Sequence, residues 1–507
     1  MLPGVVCDES QAPDHPFLKV TKMSAKPFRP RNVFCFTGVS VTNNFLVYHQ
    51  TLTALVRAIK ERVFYVKYDD EFLEPKRPDR AFVFEELSSV FIRLKRKAQY
   101  TTPMQARQFA ESYQGRRRAV YLEACEKNVQ LGFFSYLSKI KAFVKTEKYN
   151  FTNKIPVPRI IQPRDPRYLV ETGRYHKPIE KKIYGGINDL YGEVTVFKGM
   201  NAQRRGVEAY KKWCLYKDPV AVGLDAKRFD QHVSNAMLEW EHAVYQLFYR
   251  GDKYFKWLCS LQRNNQAVSY VEGHKVTYHT MHNRASGDTN TSLGNVLIVC
   301  SIILLLRDRF RFSLMNDGDD CVIICNKSDL MEILSVIPDH FRSFGFEMEI
   351  EKPVDIFERI EFCQCHPILD NTGNYVMVRK PSVTVSKDAV AIKPLTTPLL
   401  TERWLAAVGE GGMKLCKGIP VMQAYYEMFL RNSHGTEPLK DPTLEGGFWR
   451  LSIGMDFRNT TITPETRASF YWATNIPPAA QICVEKYYHN HTFTQGDSQH
   501  RFTNLPL

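Results

Sequence analysis

Several features are missing or scarce in this chain of 507 residues, and each absence narrows what it is. Its twelve cysteines are scattered without framework spacing, which speaks against a disulfide-stapled secreted scaffold and suits a reducing compartment. The first thirty residues hold no apolar core long enough for a secretory signal. The longest apolar run, Val296–Leu306 (VLIVCSIILLL), is too short to span a bilayer and reads as a buried helix. There is no internal repeat and no low-complexity tract. Acid is short as well: 54 Asp and Glu face 68 Lys and Arg, a formal charge of +14 with pI near 9.1. That balance points to a polyanionic partner, nucleic acid first and an anionic membrane surface second. The apolar content of 44% is that of a globular protein, and the length suits two or three intimately packed subdomains.

Against this acid deficit, one stretch crowds three carboxylates together: Asn316-Asp317-Gly318-Asp319-Asp320. Strand-forming residues flank it (Phe310, Phe312 and Leu314 before, Cys321 to Cys325 after), and Asp-Gly between such runs signals a hairpin. A solvated turn is the plain reading of these residue types. Three aspartates at one tip also need neutralising, by cations or by an Arg/Lys cluster. A second acidic position lies in Pro219–Ser234, where the apolar run VAVGL ends in Asp225 and Asp230 follows five residues on, at the mouth of a helix over 235–249. A carboxylate ending a buried strand has little structural purpose and suits a hard metal ion. Asp230 and Ser234 have the alternative of capping the helix.

The positive charge is also concentrated. Lys141–Lys182 holds eleven Lys and Arg against four Asp and Glu, half the excess of the whole chain. Prolines 156, 158, 163 and 166 predict an extended ribbon, anchored as a strand by Ile160 and Ile161, whose cations could fork onto phosphates or simply form a basic surface loop. Arg116, Arg117 and Arg118 open a helical run and alone would be a solvated face. Ser286-Gly287-Asp288-Thr289-Asn290-Thr291 leads into the apolar helix. Gly287 would allow close approach to a ligand. Asn295 lies on the helix, where its amide needs a partner: a sugar hydroxyl, or a backbone carbonyl. An amphipathic helix over 330–344 follows, then a strand over Ile360–His366. Its Cys-x-Cys-His lacks a second ligand pair for zinc. Helices are expected at 399–408 and 421–430, and a loosely ordered His-rich tail from Tyr487.

Basic ribbon, Asp-x4-Asp, Ser-Gly loop with Asn, and Asp-Asp hairpin follow one another in the order of motifs F, A, B and C of template-dependent RNA polymerases. The chain resembles the RNA-dependent RNA polymerases of plant positive-strand RNA viruses of the tombusvirus family. The resemblance rests on PRIIQPRDPRYLVETGRYHKPIE (158–180), VFKGMN (196–201), GLDAKRFDQHVS (223–234), SGDTNTSLGN (286–295), NDGDD (316–320) and EFCQ (361–364). It implies an α/β (α+β) right-hand fold: fingers over 1–215 with 251–285, a palm within 216–370 whose antiparallel sheet is backed by helices, and a thumb over 371–507. It implies rNTP-dependent RNA synthesis in which Asp225 and Asp319 share two Mg²⁺ ions, Mn²⁺ being a possible substitute, with Asp320 as their acidic neighbour. Lys145 and Arg159 would meet the triphosphate, with Ser286 in the nucleotide site, and Asp230, Thr291 and Asn295 would read the ribose 2′-OH. Arg116, Arg117, Arg118, Arg164 and Arg167 would hold RNA, and Lys352 is a candidate general acid for pyrophosphate.

Expected partners are RNA template and product, ribonucleoside triphosphates, a viral auxiliary replication protein and host factors. Relatives make the polymerase by readthrough or frameshift from a membrane-anchored replication protein. Membrane association is therefore expected only through a partner or a missing N-terminal region, in replication complexes of the host cytoplasm. Two other readings share some of these features. A reverse transcriptase has the same aspartates, but Asp230 with Asn295 favours ribonucleotides. A non-enzymatic RNA-binding protein would explain the charge but not acids at two strand ends.

Overall fold

The Asp-Gly hairpin forms, at one side of a four-stranded antiparallel sheet in the order Ser313–Asn316, Asp320–Asn326, Pro219–Ala226, Met348–Ile350. In the computed structural model, residues 1–24, 26, 28, 30–39, 45–152, 155–440, 451–455 and 461–493 are described. Lys154 of the basic stretch and the last part of the expected tail lie outside them. Gly318 takes the left-handed backbone the turn requires, φ +98°. The Asn316 side chain bonds Gly318 in both directions, donating to its carbonyl at 2.7 Å and accepting from its N–H at 3.0 Å. Phe310 and Phe312 precede the strand, which begins at Ser313.

Both faces of this sheet are covered, which is why its strands read as continuous apolar runs. Side chains alternate between two cores. Val220, Val222, Leu224, Cys321, Ile323 and Cys325 turn to a core shared with the helices Asn235–Gln246, Thr291–Leu304 and Leu330–Ser343. Ala221, Val322 and Ile324 turn to a second core with Phe197, Phe362 and Trp404. The helix Thr291–Leu304 is buried on every side from Leu293 to Leu304, so its sequence shows no polar face.

The rest of the chain wraps this centre. A second sheet joins Leu18–Lys22, His274–Thr280, Asn265–Val271 and Ile140–Lys141. A third carries Asn32–Cys35 between Leu2–Pro3 and Val390–Ala391, tying the first residues to a segment far along the chain. Mixed α/β structure is thus observed, as expected.

Three sequence expectations change. The basic ribbon is extended only as far as Asp165, with Ile160–Ile161 paired to Phe143–Val144. Pro166 then starts the helix Pro166–Tyr191, because proline fits the first turn of a helix, where its missing N–H has no partner to lose. The expected strand over 360–366 is broken at Cys363 and Gln364, both in the left-handed region (φ +53° and +58°), and the strand runs Cys365–Leu369 instead. Residues 487–490, expected to be loose, close the helix Pro478–Asn490 instead, with Tyr488 buried in the second core.

Candidate active site

The sheet register explains why acids from distant parts of the sequence meet. Asp225, last but one in its strand, lies directly opposite Asp320 on one side and Glu349 on the other. Cross-strand partners share a face, so both carboxylates project on the same side, beside the exposed Asp319. Burial pushes the Asp225 carboxyl above its usual value, and the charges of Asp319 and Glu349 add to this. Asp320 is pushed up to about 7 by burial, with Asp319, Asp317 and Asp225 adding, against the pull of the Cys363 N–H that donates to its Oδ2 at 3.0 Å.

The third aspartate of the turn is different. Asp317 is neutralised: Arg205 Nη2 lies 2.5 Å from its Oδ2, and Lys198 pairs with Oδ1. These cations hold its carboxyl below the usual range although burial works the other way. Lys198 reaches the turn because its segment is bonded to the hairpin, Phe197 N–H donating to the Asn316 carbonyl at 2.8 Å. The Arg/Lys cluster and the cation requirement therefore divide the tip between them. One carboxylate is satisfied by protein; Asp225, Asp319 and Asp320 have no basic ion-pair partner among the described residues.

Beside these acids, Asn295 Nδ2 donates to Asp230 Oδ1 at 3.2 Å. Asn295 Oδ1 is buried and without a partner. Asp230 is pushed up to about 6 by burial, while Arg284 pulls down. The helix cap is supplied by Ser234, whose Oγ accepts from Met237 N–H at 3.1 Å, so Asp230 is free of that structural task. Asn295 also borders the Gly318 turn, its Cβ 3.8 Å from where a Gly318 Cβ would stand.

The basic arm meets the same end of the sheet. Lys145 and Arg159 lie on the paired strand segments and share Glu147, at 2.7 and 3.6 Å from its Oε2. Arg159 is exposed, and its charge pulls down the carboxyls of both Asp225 and Asp230.

Other expected residues fall elsewhere. Arg164 and Arg167 turn inward onto protein acceptors instead of outward to a nucleic acid. Arg164 is buried against Asp288 (2.6 Å) and donates to Asn265 Oδ1 at 2.7 Å. Arg167 is buried on Asn128 Oδ1, 2.8 Å away. Ser286 accepts from Gln162 N–H at 3.3 Å, and Thr291 donates to the carbonyls of Ala285 and Asp288. Gly287 does allow a close approach, but to the chain itself: an added Cβ would stand 2.5 Å from Pro163 Cα. Arg116, Arg117 and Arg118 are exposed on the first turn of Gly115–Leu131, with Arg117 over the Tyr113 ring at 5.3 Å. Lys352 is exposed three positions past Glu349 and has no carboxylate ion pair among the described residues.

Sequence reasoning missed Lys198, Arg205 and the Cys363 amide. The surplus aspartate at the tip was the signal that two cations were needed there.

Among the described residues no three side chains stand close enough to close a metal shell unaided. Mg²⁺ needs only one or two carboxylates, with water and substrate phosphate completing the shell, so Asp225 and Asp319 would be enough to hold it. The donor chemistry agrees: hard oxygen ligands, mutually repelling, lacking protein cations.

A site of this kind, repelling carboxylates facing a basic arm, suits a substrate that brings both metal and phosphate. Comparison with known proteins identifies the class. A family profile described as viral RNA dependent RNA polymerase matches residues 19–496, and the chain belongs to that family. It is 39% identical over 492 residues to the RNA-directed RNA polymerase of Tobacco necrosis virus (strain A), covering 96% of this chain and 67% of the relative. The corresponding enzyme of Melon necrotic spot virus is 38% identical over 477 residues (93% of this chain, 60% of the relative). That of Turnip crinkle virus is 35% identical over 483 residues (94% and 62%). The chain thus spans about three fifths to two thirds of the length of these relatives.

Proposed function

We propose that this chain carries out template-directed synthesis of RNA from ribonucleoside triphosphates, replicating a positive-strand RNA genome by a two-metal mechanism. The observation that carries the reading is the pairing of Asp225 with Asp320 across two strands, beside an exposed Asp319, while Asp317 alone is neutralised. Asp225 and Asp319 would hold Mg²⁺, with Asp320 as their neighbour. Bound there, the metal would supply activation of the primer 3′-OH and charge neutralisation of the triphosphate. The chain's own residues do the rest. Arg159, with Lys145 behind it, aligns the phosphates by charge. Asn295 Oδ1 accepts from the ribose 2′-OH, and Asp230 accepts from Asn295, fixing which way the amide faces. Lys352, three positions past Glu349, remains the candidate donor of a proton to pyrophosphate.

The central sheet and its helices (216–250 with 286–370) would be the palm, 1–215 with 251–285 the fingers, and 371–507 the thumb. Work in membrane-bound replication complexes of the host cytoplasm would come through an auxiliary replication protein, host factors or further sequence. A direct test is Mg²⁺-dependent incorporation of labelled UTP and dTTP on poly(A) by the wild-type chain and Asp319→Asn. Incorporation of UTP, lost in the variant, is expected. Incorporation of neither nucleotide leaves only an RNA-binding protein, and preference for dTTP indicates reverse transcription.

A further inference from the structure

Arg164 and Arg167 are turned inward, and the segments they pin form a surface with its own chemistry. Arg164 donates to the Ser138 carbonyl at 2.6 Å and reaches the Leu261 carbonyl at 3.5 Å. Arg167 grips the Gly132 carbonyl. Held this way, residues 133–139 (FFSYLSK) meet the helix Lys253–Ser260 (KYFKWLCS) through Phe133. Phe133 joins the two, its ring edge-on to Trp257 at 5.7 Å and to Tyr254 at 6.5 Å.

The helical repeat buries Phe255, Leu258 and Cys259 and leaves Lys253, Tyr254, Lys256 and Trp257 on the outside. Next to Phe133 in the chain, Phe134 and Tyr136 are stacked at 5.7 Å and 13° and are 50% and 58% exposed. Tyr254 is held by its hydroxyl, which donates to Glu171 Oε2 at 3.2 Å. Among the described residues, neither Lys253 nor Lys256 has a carboxylate partner.

We propose that this face is a docking platform for single-stranded RNA, separate from the carboxylate site. Large exposed rings alternating with unpaired ammonium groups match a strand in which flat bases alternate with phosphates. A face built for a protein partner would instead gather its apolar groups at the centre and keep charge at the rim. The rings are already fixed in place, so a strand stacking on them loses little to ordering the protein. The ligand class rests on the polymerase reading; the surface does not.

The test uses the full chain and a 30-nucleotide unstructured RNA carrying 5-iodouridine. Ultraviolet cross-linking of the wild type, mapped by mass spectrometry, is expected to give adducts at Tyr136 and Trp257. The double variant Tyr136→Ala/Trp257→Ala should bind the 30-mer about tenfold more weakly. Lys253→Gln/Lys256→Gln should lower the slope of log K against log salt by about 1.4. Affinity for an 8-mer and extension of a short primed template should stay as in the wild type. Adducts only elsewhere, or equal losses for the 8-mer and 30-mer, would overturn the platform. If these adducts form but no nucleotide is incorporated, the platform stands and the polymerase reading falls. If nucleotide is incorporated without these adducts, the polymerase reading stands and the platform falls.

Discussion

Three aspartates within four residues meet three different fates, and each fate has a measurable consequence. Asp317 is paired with Lys198 and Arg205 in a place where none of the three is much exposed. Asp317→Ala strands the buried Arg205 and removes the partner of the half-buried Lys198, and a loss of about 3 kcal/mol is expected in chemical denaturation. Asp319→Ala and Asp225→Ala remove charges that repel their neighbours, so the same measurement should show no loss while RNA synthesis disappears. A drop in stability as large as that of Asp317→Ala would mean these acids are structural. The Asp320 carboxyl gives a pH signature. Its folded value, about 7, lies above the usual 3.8, so the folded state holds the proton more tightly. The stability gained is complete below about pH 3.8 and is lost as pH rises through 7. In metal-free protein the melting temperature of the wild type should therefore fall between pH 5 and 8 relative to Asp320→Asn, by the equivalent of roughly 2–4 kcal/mol. Parallel curves for the two proteins would refute this.

The pair formed by Asn295 and Asp230 joins a buried helix to the short turn of helix after the central strand. A site with an acceptor waiting for a hydroxyl discriminates against the sugar that lacks it, because its own polar group is left unpaired. Asn295→Ala should narrow the rNTP to dNTP ratio of kcat/KM by about tenfold, or ~1.4 kcal/mol. Equal losses with UTP and dUTP would remove Asn295 from sugar reading. Its position on the apolar helix was legible in the sequence, because an amide in an otherwise uncharged run needs a partner. The Asp-Gly turn was legible for a similar reason: turn chemistry is local. Arg164 and Arg167 were misread because spacing cannot tell a cation facing solvent from one turned inward. Their acceptors, among them Asp288, Asn265 and Asn128, come from segments brought in only by the tertiary fold. The break at Cys363-Gln364 was hidden likewise, since neither residue type favours a left-handed backbone.

The chain closes on itself through its far ends. Tyr487 Oη donates to the Gly38 carbonyl at 2.7 Å, Tyr488 Oη to Val39 at 2.8 Å, and Phe36 stacks on Trp404 at 5.3 Å. Tyr488→Ala, which empties a site only 1% exposed, should cost about 3 kcal/mol and speed limited proteolysis near residues 36–39. Unchanged cleavage there would show that the helix Pro478–Asn490 does not secure this segment. The same closure bears on how the protein is made. The carbonyls of Gly38 and Val39 wait for tyrosines 449 positions downstream. At roughly 5–20 residues per second of translation, the early segment stays without these partners for about 20–90 s after it is polymerised. Asn32–Cys35 likewise waits for Val390–Ala391 to cover one edge. The segment around residues 32–39 is thus among the last to reach its native contacts, and during that interval it depends on dilution or on chaperones to remain unaggregated.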